Sequence, residues 1–343
     1  MGVISRTPAE QTLIDLLDGA EDWRAAARQA VIDHGLPTKR AEAWKWSDLR
    51  RASQGIDQAG ETRILLDGEV APEQVRLGTD AALTIDACAG VSVGSLEIIV
   101  PAGVSVTLDE THLIAGGAFP NIRLEITLGE GARLERVVRS DLPVDAVPVV
   151  RSRVRVAKNA TYRQVELSFG SKLSRHETHI SHAGEGAVVE MGGVYLLEAG
   201  RHADFTSTVT HTGPGGITRQ LVKGAAAAHA QGVFQGKFKV EQAAQQTDAK
   251  MTHRALMLDE RAEIDAKPEL EIYADDVQCA HGNALGAIDE TALFYMRQRG
   301  LSEIKARAML IESFLTEPLD LISNEALREE VSGLLRQRLG EIA

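Results

Sequence analysis

Aromatic residues are scarce: seven Phe, four Tyr and three Trp make up 4% of 343 residues. That is low for a compact β-sandwich, whose core leans on large rings. Cysteine is scarcer still. Cys88 and Cys279 stand far apart, which is no disulfide framework and fits a reducing compartment. No run of about 18 apolar residues occurs, so no transmembrane helix is expected. The opening MGVISRTPAEQTLIDLLDGAEDW is acidic and amphipathic. It lacks the basic start and apolar core of a signal peptide, so a cytoplasmic location is expected. Positive charge is also in deficit, with 37 basic against 49 acidic residues. A nucleic-acid scaffold held by phosphate contacts is thereby disfavoured.

Catalytic motifs are missing as well. There is no G-x-x-x-x-G-K-[ST], so no nucleotide hydrolysis through a P-loop is expected of this chain. Neither G-x-S-x-G, a Gly-rich dinucleotide fingerprint nor HExxH is present. Acids are plentiful, but no pair is marked by spacing as a general acid and base.

What is present begins with helices, from about Thr7 to Leu49. Thr7 is a plausible N-cap, with Pro8 at the first helical position and Glu10 completing a capping box. Leu13, Leu16 and Leu17 follow on one face. A second helix is expected over Glu21 to His34, stopped by Gly35. Trp44 and Trp46 in EAWKWSDL are expected to pack onto the next domain. Ser53 to Gly60 reads as a linker.

From about Leu96 an alternating segment, a small-residue turn and a second alternating segment recur. The turns fall at Gly103, Gly131, Asn159, Gly186, Gly215 and Ala244, spaced 28, 28, 27, 29 and 29 residues apart. A steady period over six copies signals a repeat architecture. Alternation at this period fits one coil of a β-helix with two or more strands. Plentiful Val, Ile, Thr, Ala and Gly suit its small inward-facing layers. About seven coils, rising about 4.8 Å each, would make a rod of roughly 30 Å.

Eight of the ten histidines lie between His176 and His281. His176, His179 and His182 form HxxHxxH. On a strand His179 points away from the other two, which argues against three-point ligation. His211, His229 and His253 read as surface or hydrogen-bonded residues. After Asp289 the period becomes helical, with caps at Asp289, Ser302 and Asn324. Ile304, Ala308, Ile311 and Leu315 form an apolar stripe on the second of these helices.

Between the rod and this tail lies PELEIYADDVQCAHGNALGAID, residues 268–289. Asp275-Asp276 reads as a turn between strands. Val277, Cys279 and His281 share parity on the second strand. Thiolate and imidazole together suit zinc, copper and iron. Two ligands are too few for a complete site, and no CxxC or HxxxH lies nearby. Spacing alone leaves two readings open: a ligand pair, or a buried thiol beside a turn histidine.

Residues 233–301 resemble the C-terminal core of the SufB/SufD family, scaffold subunits of the SUF iron–sulfur cluster assembly system. The segments Gln-Thr-Asp-Ala, Pro-Glu-Leu-Glu-Ile-Tyr-Ala-Asp-Asp and Cys279-Ala280-His281-Gly282 carry the resemblance. EAWKWSDL resembles the SufD branch. The resemblance implies a mainly β fold: a right-handed parallel β-helix over 61–288, flanked by helical domains over 1–60 and 289–343. It implies a non-catalytic scaffold that pairs with a SufB-like paralogue through the β-helix, with no nucleic-acid or membrane partner. A SufC-like ATPase would dock on the C-terminal helices, at a face containing Phe294, Tyr295, Arg297, Arg299, Ile304 and Ile311. It further implies that His281, with Cys279, offers ligands to a transient iron–sulfur cluster shared with the partner. The sequence leaves open whether a flavin joins such a complex and whether the isolated chain self-dimerises. Two other classes fit a β-helical rod: a homodimeric adaptor without metal chemistry, and a polysaccharide-active enzyme.

Overall fold

The computed structural model describes residues 5–342. Helix α1 (Pro8–Leu16) starts in the expected capping box. Thr7 Oγ1 accepts from the Glu10 amide at 3.3 Å, and Glu10 Oε2 accepts from the Thr7 amide at 2.7 Å. Glu10 is fully buried because it also accepts from the Leu36 amide and pairs with Arg50. Helix α2 (Trp23–His34) ends at Gly35, whose φ of +69° is left-handed. A short α3 (Leu49–Ala52) follows. The expected linker over 53–60 is in fact anchored. Ile56 is buried, and the Gly60 amide donates to Val91 O at 2.7 Å. Trp44 packs onto the rod as expected, with the Arg175 guanidinium 4.0 Å from its ring centroid. Beside it Ser47 hydrogen-bonds Asp204.

Strands begin earlier than Leu96. A lead-in of β1 (Thr62–Leu66), β2 (Glu69–Val70), β3 (Gln74–Arg76) and β4 (Ala81–Ala87) precedes seven regular coils. The coils are β5/β6 (Gly90–Val100, Ser105–Ile114), β7/β8 (Ala118–Leu128, Arg133–Ser140) and β9/β10 (Val149–Val156, Thr161–Ser168). Then come β11/β12 (Ser174–His182, Val188–Leu197), β13/β14 (His202–His211, Ile217–Ala226), β15/β16 (Gln231–Val240, Asp248–Met257) and β17/β18 (Glu263–Ile272, Gln278–Gly286). Odd strands from β3 to β17 stack into one sheet of eight. The even strands, with β1, form a second sheet of ten. All pairings from β3 onward are parallel; only β1 pairs antiparallel, with β2 and β4. The fold is a two-sheet parallel β-solenoid flanked by helices, as the period requires.

Alternation explains the core. In β9, Val150, Ser152, Val154 and Val156 are buried while Arg151, Arg153 and Arg155 face solvent. Five of the expected turns hold a left-handed residue: Gly103, Gly131, Asn159, Gly186 and Gly215. At the sixth the left-handed residue is Gln246, at φ +60°, and Ala244 is buried instead. The interior is partly polar. Buried Arg136 forks onto Glu110 at 2.8 and 2.9 Å and reaches Ser152 at 2.9 Å. Such paired charges fill layers that large rings would otherwise occupy.

The C-terminal helices are α4 (Glu290–Gln298), α5 (Glu303–Leu315) and α6 (Glu325–Ile342), with a 3₁₀ turn over Glu317–Leu321. Asp289, Ser302 and Asn324 cap them as expected. Leu315, Leu319, Val331 and Leu335 bury against Val165, Val194 and Ala225 on the outer face of the ten-stranded sheet. Lys223 fastens the turn by pairing with Glu317 at 2.5 Å.

Candidate metal centre at the open end of the solenoid

The last coil has a neighbour on one side only: β17 pairs with β15 and β18 with β16. Both strands therefore offer an unpaired backbone edge, a ready template for another chain. Register fixes which side chains face inward. In β17, Ala266 stacks over buried Phe234 and Leu270 over buried Phe238. In β18, Cys279 stacks over Ala249, His281 over Met251 and Asn283 over His253. All four underlying residues of these two sets with rings or thioether are buried, so the new layer is the rod's incomplete lid.

Cys279 and His281 thus share a face, as parity predicts, about 7 Å apart along the strand. Cys279 is half-buried and packs with Val277 and Ala274. Burial pushes its thiol pKa up, and the Ala249 amide pulls the other way. His281 is exposed and its ring has no hydrogen-bond partner among the described residues. Asp275 and Asp276 lie in the turn before β18, as expected. Among the described residues no group of three or more His, Cys, Asp or Glu gathers to hold a metal. Cys279 and His281 therefore make at most part of a ligand set within this chain.

The remaining histidines do not converge there. His179 faces outward, while His176 and His182 face inward, as strand parity demands. His176 Nδ1 meets Glu166 at 2.7 Å and its ring stacks on His112. His182 stacks on His211 at 4.6 Å between centroids. His211 and His253 are wholly buried and hydrogen-bonded, leaving His229 as the exposed one of the three. Sequence alone cannot assign inward positions across coils; the register does.

The C-terminal face divides in two. Phe294, Tyr295 and Ile304 are 63%, 59% and 60% exposed. Arg299 lies over the Tyr295 ring and donates to its hydroxyl at 2.5 Å, and Arg297 pairs with Glu303 at 3.2 Å. Ile311 does not belong to this face. It is 6% exposed and packs inside the helix–sheet core, because α5 turns that side of its apolar stripe toward the rod.

Residues 83–314, two thirds of the chain, match the family model described as SUF system FeS cluster assembly, SufBD core domain. The chain belongs to the SufBD family. It is 36% identical over 219 residues to an iron–sulfur cluster assembly SufBD family protein of Synechocystis, covering 64% of the chain and 48% of that protein. It is 34% identical over 226 residues to the chloroplastic protein ABCI7 of Arabidopsis thaliana, covering 64% and 47%. The match thus spans about half the length of these two relatives. It is 26% identical over 385 aligned positions to the iron–sulfur cluster assembly protein SufD of Escherichia coli, covering 91% of both. The matched region contains the solenoid from β4 onward, the Cys279–His281 strand and α4–α5. No helix among the described residues is long and apolar enough to cross a membrane.

One residue escaped the sequence reading. Asn283 shares the parity of Cys279 and His281 and sits 30 residues, one coil, after His253. Parity together with that spacing is the signal that marks it.

Proposed function

We propose that this SufBD chain is a non-catalytic scaffold subunit of an iron–sulfur cluster assembly complex. Its open end mates with a SufB-like paralogue, and the nascent cluster, as cargo, forms in the seam between them. His281 offers an imidazole nitrogen and Cys279 a thiolate; the partner completes the set. The observation that carries this reading is the last coil, where two unpaired strand edges frame two soft ligands. An incomplete ligand pair is unexplained within one chain and sufficient for half of a shared site. Mating would also bury the half-covered apolar layer and keep water from the cargo.

The exposed Phe294, Tyr295 and Ile304, with Arg297 and Arg299, form the docking face for a SufC-like ATPase. Movement of the ATPase would reach the rod through α5 and the Lys223–Glu317 contact.

The test is affinity capture of the tagged chain from its native cytosol, with stoichiometry counted. Recovery of a SufB-like chain and a P-loop ATPase is expected, and His281→Ala should abolish cluster formation in that complex. Recovery of only the chain itself, as monomer or self-pair, would replace this reading with a homodimeric adaptor. Undiminished cluster formation by His281→Ala would remove the ligand assignment.

A further inference from the structure

The inward face of β18 carries a third polar side chain, Asn283. Its Oδ1 lies 2.8 Å from His253 Nδ1, and His253 Nε2 lies 2.9 Å from the Tyr195 hydroxyl. His253 and Tyr195 are both 0% exposed. The polarity of this chain is fixed at its Asn283 end. A carbonyl oxygen only accepts, so His253 Nδ1 carries the proton. The bare Nε2 must then accept from the Tyr195 O–H.

Each link is held in place. Burial keeps the His253 imidazole neutral, with its pKa lowered to about 4. Burial also raises the Tyr195 hydroxyl well above its usual range, so its proton stays. The Tyr195 ring occupies a slot cut by glycine: a Cβ on Gly224 would come within 1.8 Å of its Cζ. Phe234 stacks on His253 at 5.0 Å with the rings 10° from parallel, which stops the imidazole from turning. The Asn283 carbonyl is therefore pinned inward. Its NH2 group is left without a partner among the described residues, at the exposed open end of the rod.

We propose that Asn283 donates a hydrogen bond to a sulfur of the cluster held at the open end, with His253 and Tyr195 as positioning residues. This rests on the functional reading above. Sulfide and thiolate sulfurs bear negative charge and accept N–H donors, and such bonds tune the reduction potential. Donation to sulfur favours the more negative, reduced state. A primary amide NH2 two positions from His281 is placed for this, since same-face neighbours on a strand stand about 7 Å apart.

The experiment loads the cluster anaerobically on the co-purified complex and measures its midpoint potential and visible circular dichroism. Asn283→Asp keeps the shape, accepts from His253 and cannot donate; its potential should fall below wild type. Asn283→Ala should shift it less in the same direction. His253→Gln, which abandons Asn283, should resemble Asn283→Ala, and His253→Asn, whose amide can stand in for Nδ1, should stay near wild type. In the chain without cargo, nitrogen-15 shifts should show the Nδ1-protonated tautomer of His253. The opposite tautomer would turn the Asn283 carbonyl outward and overturn the proposal, as would a loaded Asn283→Asp complex with wild-type potential and spectrum. A wild-type complex that loads no cluster would instead defeat the functional reading, and this inference with it.

Discussion

Acid should unfold this rod earlier than its carboxylates would suggest, because its interior stores neutral histidines. Burial lowers the pKa of His253 and of His202 to about 4, and of His211 to about 3. In the unfolded chain each returns to about 6.5. Above that value both states are neutral and stability is flat. Below it the unfolded chain takes up protons that the fold refuses, so stability falls with pH. At pH 5 the gap between about 6.5 and a folded value near 4 costs about 2 kcal/mol per histidine. The wholly buried His211 and His253 together should lose about 4 kcal/mol. His202, wedged between Ser47 and Asp204 but partly reached by solvent, adds less. Asp109 opposes the trend, since burial raises its carboxyl and lets the fold bind a proton. Glu177 is silent in this window: its pKa is lowered to about 2, and its contribution fades only below about pH 4.5. Equilibrium urea unfolding at pH 8, 7, 6 and 5 measures the effect. Stability should be level from pH 8 to 7 and drop steeply from 6 to 5. His211→Phe, which can keep the stack on His182, should make that drop shallower by about 1.4 kcal/mol per pH unit. Equal stability at pH 8 and 5, or an unchanged slope in His211→Phe, would refute the reasoning.

Two further outcomes follow from the buried Arg136–Glu110 pair and the exposed Phe294 and Tyr295 rings. Arg136→Met strands the buried Glu110 carboxylate and should cost about 3–5 kcal/mol in urea unfolding, most of which Glu110→Leu in the same chain should restore. Phe294→Ala with Tyr295→Ala removes exposed rings, so unfolding should move by no more than about 0.5 kcal/mol. Capture of the proposed ATPase partner by that variant should weaken at least about tenfold, as expected when aromatic anchors leave an interface.

The architecture was legible because one coil is one sequence period. Gly103, Gly131, Asn159, Gly186 and Gly215 each supply a left-handed residue at the same place in the coil, and strand parity does the rest. Ala244 misled because a different residue, Gln246, takes the left-handed position where the sequence offers no glycine. The lead-in strands escaped the repeat for a related reason: β1 to β4 are short or antiparallel and do not follow the period. At the candidate site, parity alone put Cys279 and His281 on one face. The burial of His211 and His253 was hidden because it depends on stacking between residues a coil apart. Ile311 lay on an apolar stripe that looked uniform, yet packing divides it between the rod and solvent. Which side of a helix meets a sheet is a tertiary fact that the stripe does not encode.

The two ends of the rod are unequal, and that limits what it can build. At one end the ten-stranded sheet stops at β2, two residues long, and the other sheet stops at β3, three residues long. Such stubs offer little for another chain to extend. At the other end β17 and β18 present open edges ten and nine residues long, on which the backbone groups not bonded to β15 and β16 are unpaired. A rod with one adhesive end cannot polymerise. Once that end is occupied, end-to-end growth of the rod stops at a pair, and a second copy of this chain would compete there with the proposed paralogue.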